Sequence, residues 1–292
     1  MKTCTLCNSN VIVHRFDVGD YPLWHCKGCG FEWLHPQPDD AVLGEIYSAQ
    51  YHQNRIAGGN IHTEMKTKVF SGSVEKAMLP PAATVLDVGC AEGDLLALLH
   101  KAGHHVYGIE YASFAANLCV QKFGKDNIHC GVLEDIPFSA VSFDAVFLMD
   151  VLEHVRDPLT TLREVHRRLK PDGILVLHLP NVASLSRRLM YKAWPHYLME
   201  HLFYFSPATI AAALHQTGFQ KTLQSSFKKP LSIFYLATVL SGKKERAIYG
   251  FFLTLKTILK MLPKALTHKM FYLPCGEMLV IAKKNSGKNL PS

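Results

Sequence analysis

The chain reads as an α/β protein, a doubly wound and mostly parallel sheet preceded by a small cysteine-bearing module. Three observations predict this. From residue 83 onward, short apolar runs alternate with helical patterns at the period of strand–helix units. The first run, ATVLDVGCAEGD, passes from a continuous apolar strand (Thr84 to Val88) through a glycine-bearing turn into a helix start. Near the N-terminus stand two C-x-x-C pairs, Cys4/Cys7 and Cys26/Cys29, with 18 residues between them.

The bulk numbers agree. In 292 residues, 48% hydrophobic and 19% charged describe a folded globular chain and exclude a disordered one. The net charge of +7 is unevenly spread. Residues 1–150 hold 10 Lys/Arg against 17 Asp/Glu, and residues 151–292 hold 21 against 7. A basic C-terminal half suits an anionic partner or a solvated basic surface. The start, MKTCTLCNSN, has no apolar signal core, and no run reaches the roughly 18 apolar residues of a membrane span. A cytoplasmic setting is expected, where eight cysteines point to metal before disulfides.

Taken in order, residues 1–36 are expected to be a zinc ribbon. The cysteine spacing matches structural zinc sites, and four thiolates would close a tetrahedron with no open position. The run VIVHRF would pair back as a strand. Lys2, Arg15 and Lys27 are balanced by Asp17, Asp20 and Glu32, so a phosphate footprint is lacking and nucleic acid is not the expected partner. Docking or substrate gating is the expected task. Pro36 and Pro38 end the module, and residues 37–82 read as a helical connector with one helix near 60–79.

The core, residues 83–228, should carry strands at 84–88, 105–109, 127–130, 143–149 and 173–179. Helices fall near 93–102, 113–122, 157–169 and 206–216. Gly89 and Gly93 allow a tight turn and close backbone approach, while Asp87 and Glu110 fall at the carboxyl ends of neighbouring strands, the usual binding edge. A dinucleotide fingerprint needs G-x-G-x-x-G, and these glycines are four apart.

This turn resembles the cofactor loop of class I S-adenosylmethionine (SAM)-dependent methyltransferases, with a Rossmann-like sheet. The family pattern is acid-x-Gly-x-Gly-x-Gly; Asp87, Gly89 and Gly93 match, and Ala91 replaces the middle glycine. The stretches GVLEDIPFSAVSFDAVFLMDVLEHVRDP and LKPDGILVLHLPN resemble ubiquinone-biosynthesis-type members. The block CKGCGFEWLHPQP with EIYSAQYH resembles the segment ahead of some bacterial sugar and envelope methyltransferases. The resemblance implies cofactor contacts at Asp87, Gly89, Cys90, Gly93 and Asp94, with Glu110 and Tyr111 at the ribose. It implies the backbone around Val132 and Leu133 at the adenine, helped by Glu134 or Asp135, and Met149 and Asp150 toward the sulfonium. It also implies an antiparallel last strand.

His154, in LEHV, has two readings, a general base near neutral pH or a hydrogen-bonding anchor of its loop. The anchor weighs more, because LEHV recurs in relatives with unrelated substrates. In SRRLMYKAWPHYLMEHLFYFSP (186–207), His201 with Tyr204 is the candidate acceptor-side base, against packed aromatics and an ordinary polar histidine. Arg187 and Arg188 are either phosphate-binding or solvated.

Residues 229–274 read as an amphipathic helical insertion, and residues 275–292 as a closing strand and tail. Ile248, Phe251, Phe252, Leu255, Leu259 and Leu262 recur at helical spacing, opposite Lys256 and Lys260. Over 246–264 this suits peripheral contact at the inner membrane face, or a helix laid over the protein's own cleft. The expected function is methyl transfer from SAM to a small-molecule acceptor, with structural zinc. Family analogy makes the acceptor a sugar, glycolipid or polyprenyl-linked envelope intermediate. The alternatives are a quinone or lipid methyltransferase, and a non-enzymatic interaction protein.

Overall fold

Alternating apolar strands and amphipathic helices close here into two sheets that share a core. The computed structural model describes residues 3–46, 59–136, 138, 142–232, 249–263, 267 and 270–285. Ribbon strands β1 (Ile12–Val18), β2 (Tyr21–Cys26) and β3 (Glu32–Leu34) come first, then helices α1 (Asp40–Ile46) and α2 (Gly59–Ala77). The core follows as β4 (Thr84–Val88), α3 (Asp94–Lys101), β5 (His105–Glu110), α4 (Ser113–Phe123), β6 (Ile128–Cys130), β7 (Phe143–Met149), α5 (Pro158–Arg168) and β8 (Leu169–Pro180). It ends with α6 (Leu185–Met190), β9 (Phe203–Tyr204), α7 (Pro207–Gln216), β10 (Phe219–Ser232), α8 (Tyr249–Lys260) and β11 (Met270–Lys284).

The large sheet has the order β10-β11-β8-β7-β4-β5-β6. Strands β4 to β8 are parallel to one another, and β11 runs antiparallel to both β8 and β10. Side chains of a strand alternate between faces, so each buried strand feeds two cores. Val146 and Leu148 of β7 join the layer holding α5 and α7, while Ala145, Phe147 and Met149 join the layer holding α2, α3 and α4. This is the expected doubly wound architecture.

Two boundaries differ from expectation. The ribbon does not stand apart, because β9, some 170 residues downstream, adds to it in the order β1-β2-β3-β9. Phe31 lies 5.8 Å from Phe203 and 5.2 Å from Phe205 between ring centroids, and burial of these rings joins ribbon and core. Nothing in the sequence pairs a two-residue strand with so distant a partner. The supposed helical insertion is also shorter than 229–274. The β10–β11 hairpin runs into it from both ends, pairing Ser232 with Met270. Part of the expected amphipathic face, Ile248 included, lies outside the described residues.

Candidate cofactor and acceptor site

The carboxyl edge of the parallel strands carries the site. At its nucleotide side, Gly89 (φ +73°) and Gly93 (φ +84°) adopt left-handed backbone that a side chain disfavours. A Cβ on Gly89 would stand 2.6 Å from Val151 Cγ2, and one on Gly93 would stand 2.7 Å from the Phe123 ring. Ala91, where the family pattern has glycine, is also left-handed, at φ +48°.

Most amides of this loop are engaged internally. Those of Gly89 and Cys90 both donate to the Ile109 carbonyl, that of Gly93 to the Cys90 carbonyl, and that of Ala91 to Glu110 Oε2 at 2.8 Å. The expected amide cradle is therefore a self-bonded loop, and carboxylates and carbonyls provide its polar character. Glu110 Oε1 accepts from the Ala112 amide at 2.8 Å, so each Glu110 oxygen keeps a second lone pair for a hydroxyl.

Asp87 is 3% exposed. Burial pushes its pKa up to about 8; Lys66 pulls it back, and Glu110 and Asp94 add to the rise. Lys66, on α2, also holds Asp94 at 3.0 Å. This lysine was missed because its helix precedes the motif and nothing local ties the two. A cationic ammonium fits beside Asp87, and two vicinal hydroxyls fit beside Glu110. Those are the acceptors that the ammonium and ribose hydroxyls of SAM require.

The remaining expected cofactor residues divide by exposure. Tyr111, Val132 and Glu134 are exposed at the same edge, while Leu133 is buried in the core and can offer only its backbone. The Cys90 side chain is buried too, with its sulfur 3.8 Å from that of Cys119. It belongs to the packing behind the loop. Met149 closes β7, and Asp150, at φ +58°, turns out of it.

On the acceptor side, charged and imidazole side chains converge. His178 Nδ1 lies 2.7 Å from Asp150 Oδ1, and its Nε2 lies 3.3 Å from Glu277 Oε2. Burial alone would lower the His178 pKa, but the two facing carboxylates outweigh it and push it up to about 10. Beside this pair, Glu153, His154 and His201 each bring one ligand atom within 4.8 Å of the others. Burial, with the Asp150 charge, holds Glu153 well above the usual carboxylate range. Burial lowers His154 to about 4 and drives His201 well down as well.

Both expected histidines thus lie here, but Tyr204 does not serve as an acceptor group. It is buried, and its hydroxyl donates to the Leu198 carbonyl. Arg187 is also committed, donating to Tyr197 Oη and to Glu32 Oε1 of the ribbon. The signals for His178 and Glu277 were single polar residues inside apolar strand runs, LVLHLP and GEMLVI.

The ribbon's four cysteines meet as spaced. Cys4 and Cys29 sulfurs are 3.7 Å apart, those of Cys7 and Cys26 are 3.6 Å apart, and all four lie within 4.8 Å of one another. A tetrahedral zinc with bonds near 2.3 Å needs sulfurs about 3.8 Å apart, so the residues fit that ion.

Sheet order, glycine turn and paired acids define a class I methyltransferase-type domain. The methyltransferase domain family matches residues 63–224, and the chain belongs to that family. A tRNA U34 carboxymethyltransferase of Methylococcus capsulatus is 31% identical over 175 residues, 57% of this chain and 54% of that protein. A ubiquinone biosynthesis O-methyltransferase of Haemophilus ducreyi is 33% identical over 127 residues, covering 40% of this chain and 53% of that protein. The chain thus spans about half the length of these relatives. Among solved structures, the [4+2]-cyclase SpnF superposes with a TM-score of 0.58 at 19% identity, over 86% of this chain and 99% of that one. At that identity the likeness shows the fold.

Proposed function

We propose that the chain transfers the methyl group of SAM to a small-molecule acceptor. The observation that carries this is the placement of Asp87 and Glu110 at the ends of adjacent strands, with a polar cluster at the ends of the next two. When bound, SAM supplies an electrophilic methyl on a sulfonium. Glu110 accepts hydroxyl hydrogen bonds, Asp87 faces the ammonium, and the buried walls exclude water. An in-line displacement needs little more than positioning and a dry site. Calorimetric titration with S-adenosylhomocysteine, with NADH as control, tests it. Binding of the former alone supports the reading; loss of neither affinity nor enthalpy in Asp87→Ala overturns the assignment of the loop.

The acceptor we favour remains a sugar, glycolipid or polyprenyl-linked intermediate. The names of the ubiquinone-type relatives favour a quinone as second reading, and an acceptor screen of both classes separates them. SpnF is a [4+2]-cyclase, so this fold also serves other chemistry. An interaction protein with an empty cleft is the reading left if S-adenosylhomocysteine fails to bind.

The ribbon cysteines hold structural zinc in this reading. Native mass spectrometry should find the ion, and Cys26→Ser should lose it. Helix α8 is the proposed peripheral membrane contact. Leu253, Ile258, Met261 and Leu262 are exposed beside Lys256 and Lys260, while Leu259 packs inward. Among the described residues no helix is long and apolar enough to cross a membrane. Co-sedimentation with anionic liposomes should be salt-sensitive and weakened by Lys256→Glu/Lys260→Glu.

A further inference from the structure

We infer that a cavity where the ribbon meets α5 is a second small-molecule site, and that it takes a planar aromatic carboxylate. The cavity measures about 310 Å³ and shares no lining residue with the cofactor edge or the acceptor cluster. Its floor is aromatic. Phe31 and Trp33 come from the ribbon, and Phe203 and Phe205 from the stretch around β9. All four side chains are buried, so the fold sets the ring positions before any ligand arrives. Phe31 and Phe203 lie almost parallel, with an interplanar angle of 12°, and Trp33 is inclined by 30° to Phe31. A further flat ring can stack on such a floor or meet it edge-on. This volume is at the low end for small-molecule sites, and one or two rings fill it.

The rim decides the charge. Arg156, Asp157 and Arg163 line it, and all three are exposed. Two of them are committed. Arg156 donates to Asp40 Oδ1 and to the Pro38 carbonyl, each at 2.5 Å. The Asp157 carboxylate caps α5, accepting from the amides of Leu159 and Thr160 and from the Thr160 hydroxyl. The helix end that it caps offsets its charge. Arg163 is different. Among the described residues it has no carboxylate partner, and its guanidinium reaches only Thr160 Oγ1, at 3.5 Å.

A guanidinium presents a planar fork of donors that matches a carboxylate. A cationic ligand would face two guanidiniums, and a plain hydrocarbon would leave Arg163 unused. A ring on the floor with a carboxylate at the rim satisfies both surfaces. Held there, the ligand touches the ribbon, β9 and the start of α5 together, and so braces the ribbon against the core.

The test uses 2-naphthoate as probe, with 2-naphthamide as a neutral counterpart of similar shape, each titrated calorimetrically into the full chain. One equivalent of naphthoate should bind. The amide should be weaker by roughly tenfold or more, the worth of one charge-assisted hydrogen bond. That comparison needs no variant. Arg163→Glu should weaken naphthoate by a similar factor and leave the amide unchanged. Arg167→Glu, one turn further along α5 and outside the cavity, should change neither. Saturating S-adenosylhomocysteine should leave naphthoate bound. The inference is overturned if naphthoate fails to bind at millimolar concentration, if acid and amide bind alike, or if Arg163→Glu leaves naphthoate affinity intact. Displacement of naphthoate by S-adenosylhomocysteine would place the ring in the cofactor cleft and also overturns it. The readout involves no methyl transfer, so it is independent of the proposed activity.

Discussion

The two halves of the site are built by different means. The nucleotide side is a backbone device, made of residues 87–93 with Glu110 and held by amide-to-carbonyl bonds within the loop. The acceptor side is a side-chain device, assembled from Asp150, Glu153, His154, His178, His201 and Glu277, which arrive from four separate segments. A backbone device is fixed by where glycine is allowed. A side-chain device is fixed by burial and charge balance. Substitutions on the acceptor side should therefore cost fold stability, and those on the nucleotide side should chiefly cost ligand affinity.

The strongest challenge to that contrast is Glu277→Ala. Glu277 is 3% exposed and faces His178 at 3.3 Å and His196 at 3.7 Å. Removing Glu277 leaves the buried His178 balanced by Asp150 alone, at a cost of about 3 kcal/mol, the low end for breaking a buried charged set. Urea unfolding should show this, while affinity for S-adenosylhomocysteine in the folded variant stays within about threefold. A loss below 1 kcal/mol would mean that Asp150 alone compensates His178.

Next in size is Gly89→Ala. The added methyl meets Val151 at 2.6 Å, and φ is +73°. Left-handed backbone costs a non-glycine residue about 1–2 kcal/mol, and overpacking adds about as much again. Calorimetry should find S-adenosylhomocysteine affinity down at least tenfold. Unchanged affinity would show that the turn shapes the core and not the ligand site.

The same contrast decides what the sequence revealed. Strand–turn–helix at 84–101 is local, so apolar runs, glycines and acids appear in order within a short window. The order of motifs then carried the fold and the nucleotide side together. The ribbon cysteines were legible for the same reason, since two knuckles at fixed spacing are two local events. Glu277 and His178 were not legible, because their meaning comes from antiparallel pairing of β11 with β8, roughly 100 residues apart in sequence. His201 was noticed for its chemistry, but its closeness to Glu153 follows from backbone bonds to residues 202 and 203 that no spacing encodes. Strand β9 escaped for a similar reason. Two residues carry no period.

Asp87 gives a pH test of the nucleotide side. Its folded pKa is raised to about 8, above its ordinary value of 3.8. The fold thus favours the neutral acid, and this contribution to stability is full below pH 4 and is lost as pH rises toward 8. An ammonium ligand favours the carboxylate instead. Affinity for S-adenosylhomocysteine should therefore tighten from pH 6 to 8, by at most about tenfold per pH unit. Asp87→Asn should flatten that slope. A slope that survives the substitution would assign the titration to another group.

The smallest effect sharpens the comparison most finely, because it concerns a single methyl group. Ala91 stands at φ +48°, where the family pattern has glycine, and its amide donates to Glu110 Oε2. Ala91→Gly relieves about 1–2 kcal/mol of left-handed strain and gives back about 0.4–1 kcal/mol through a freer unfolded chain. The net is a gain of about 0.5–1 kcal/mol, visible as a higher urea midpoint at unchanged slope. Ala91→Val has the opposite expectation, since a β-branched side chain tolerates this backbone least. A turn whose shape rests on φ must respond in both directions. If Ala91→Gly is neutral and Ala91→Val is tolerated, then Glu110 and not the backbone sets the loop, and the nucleotide side is a side-chain device after all.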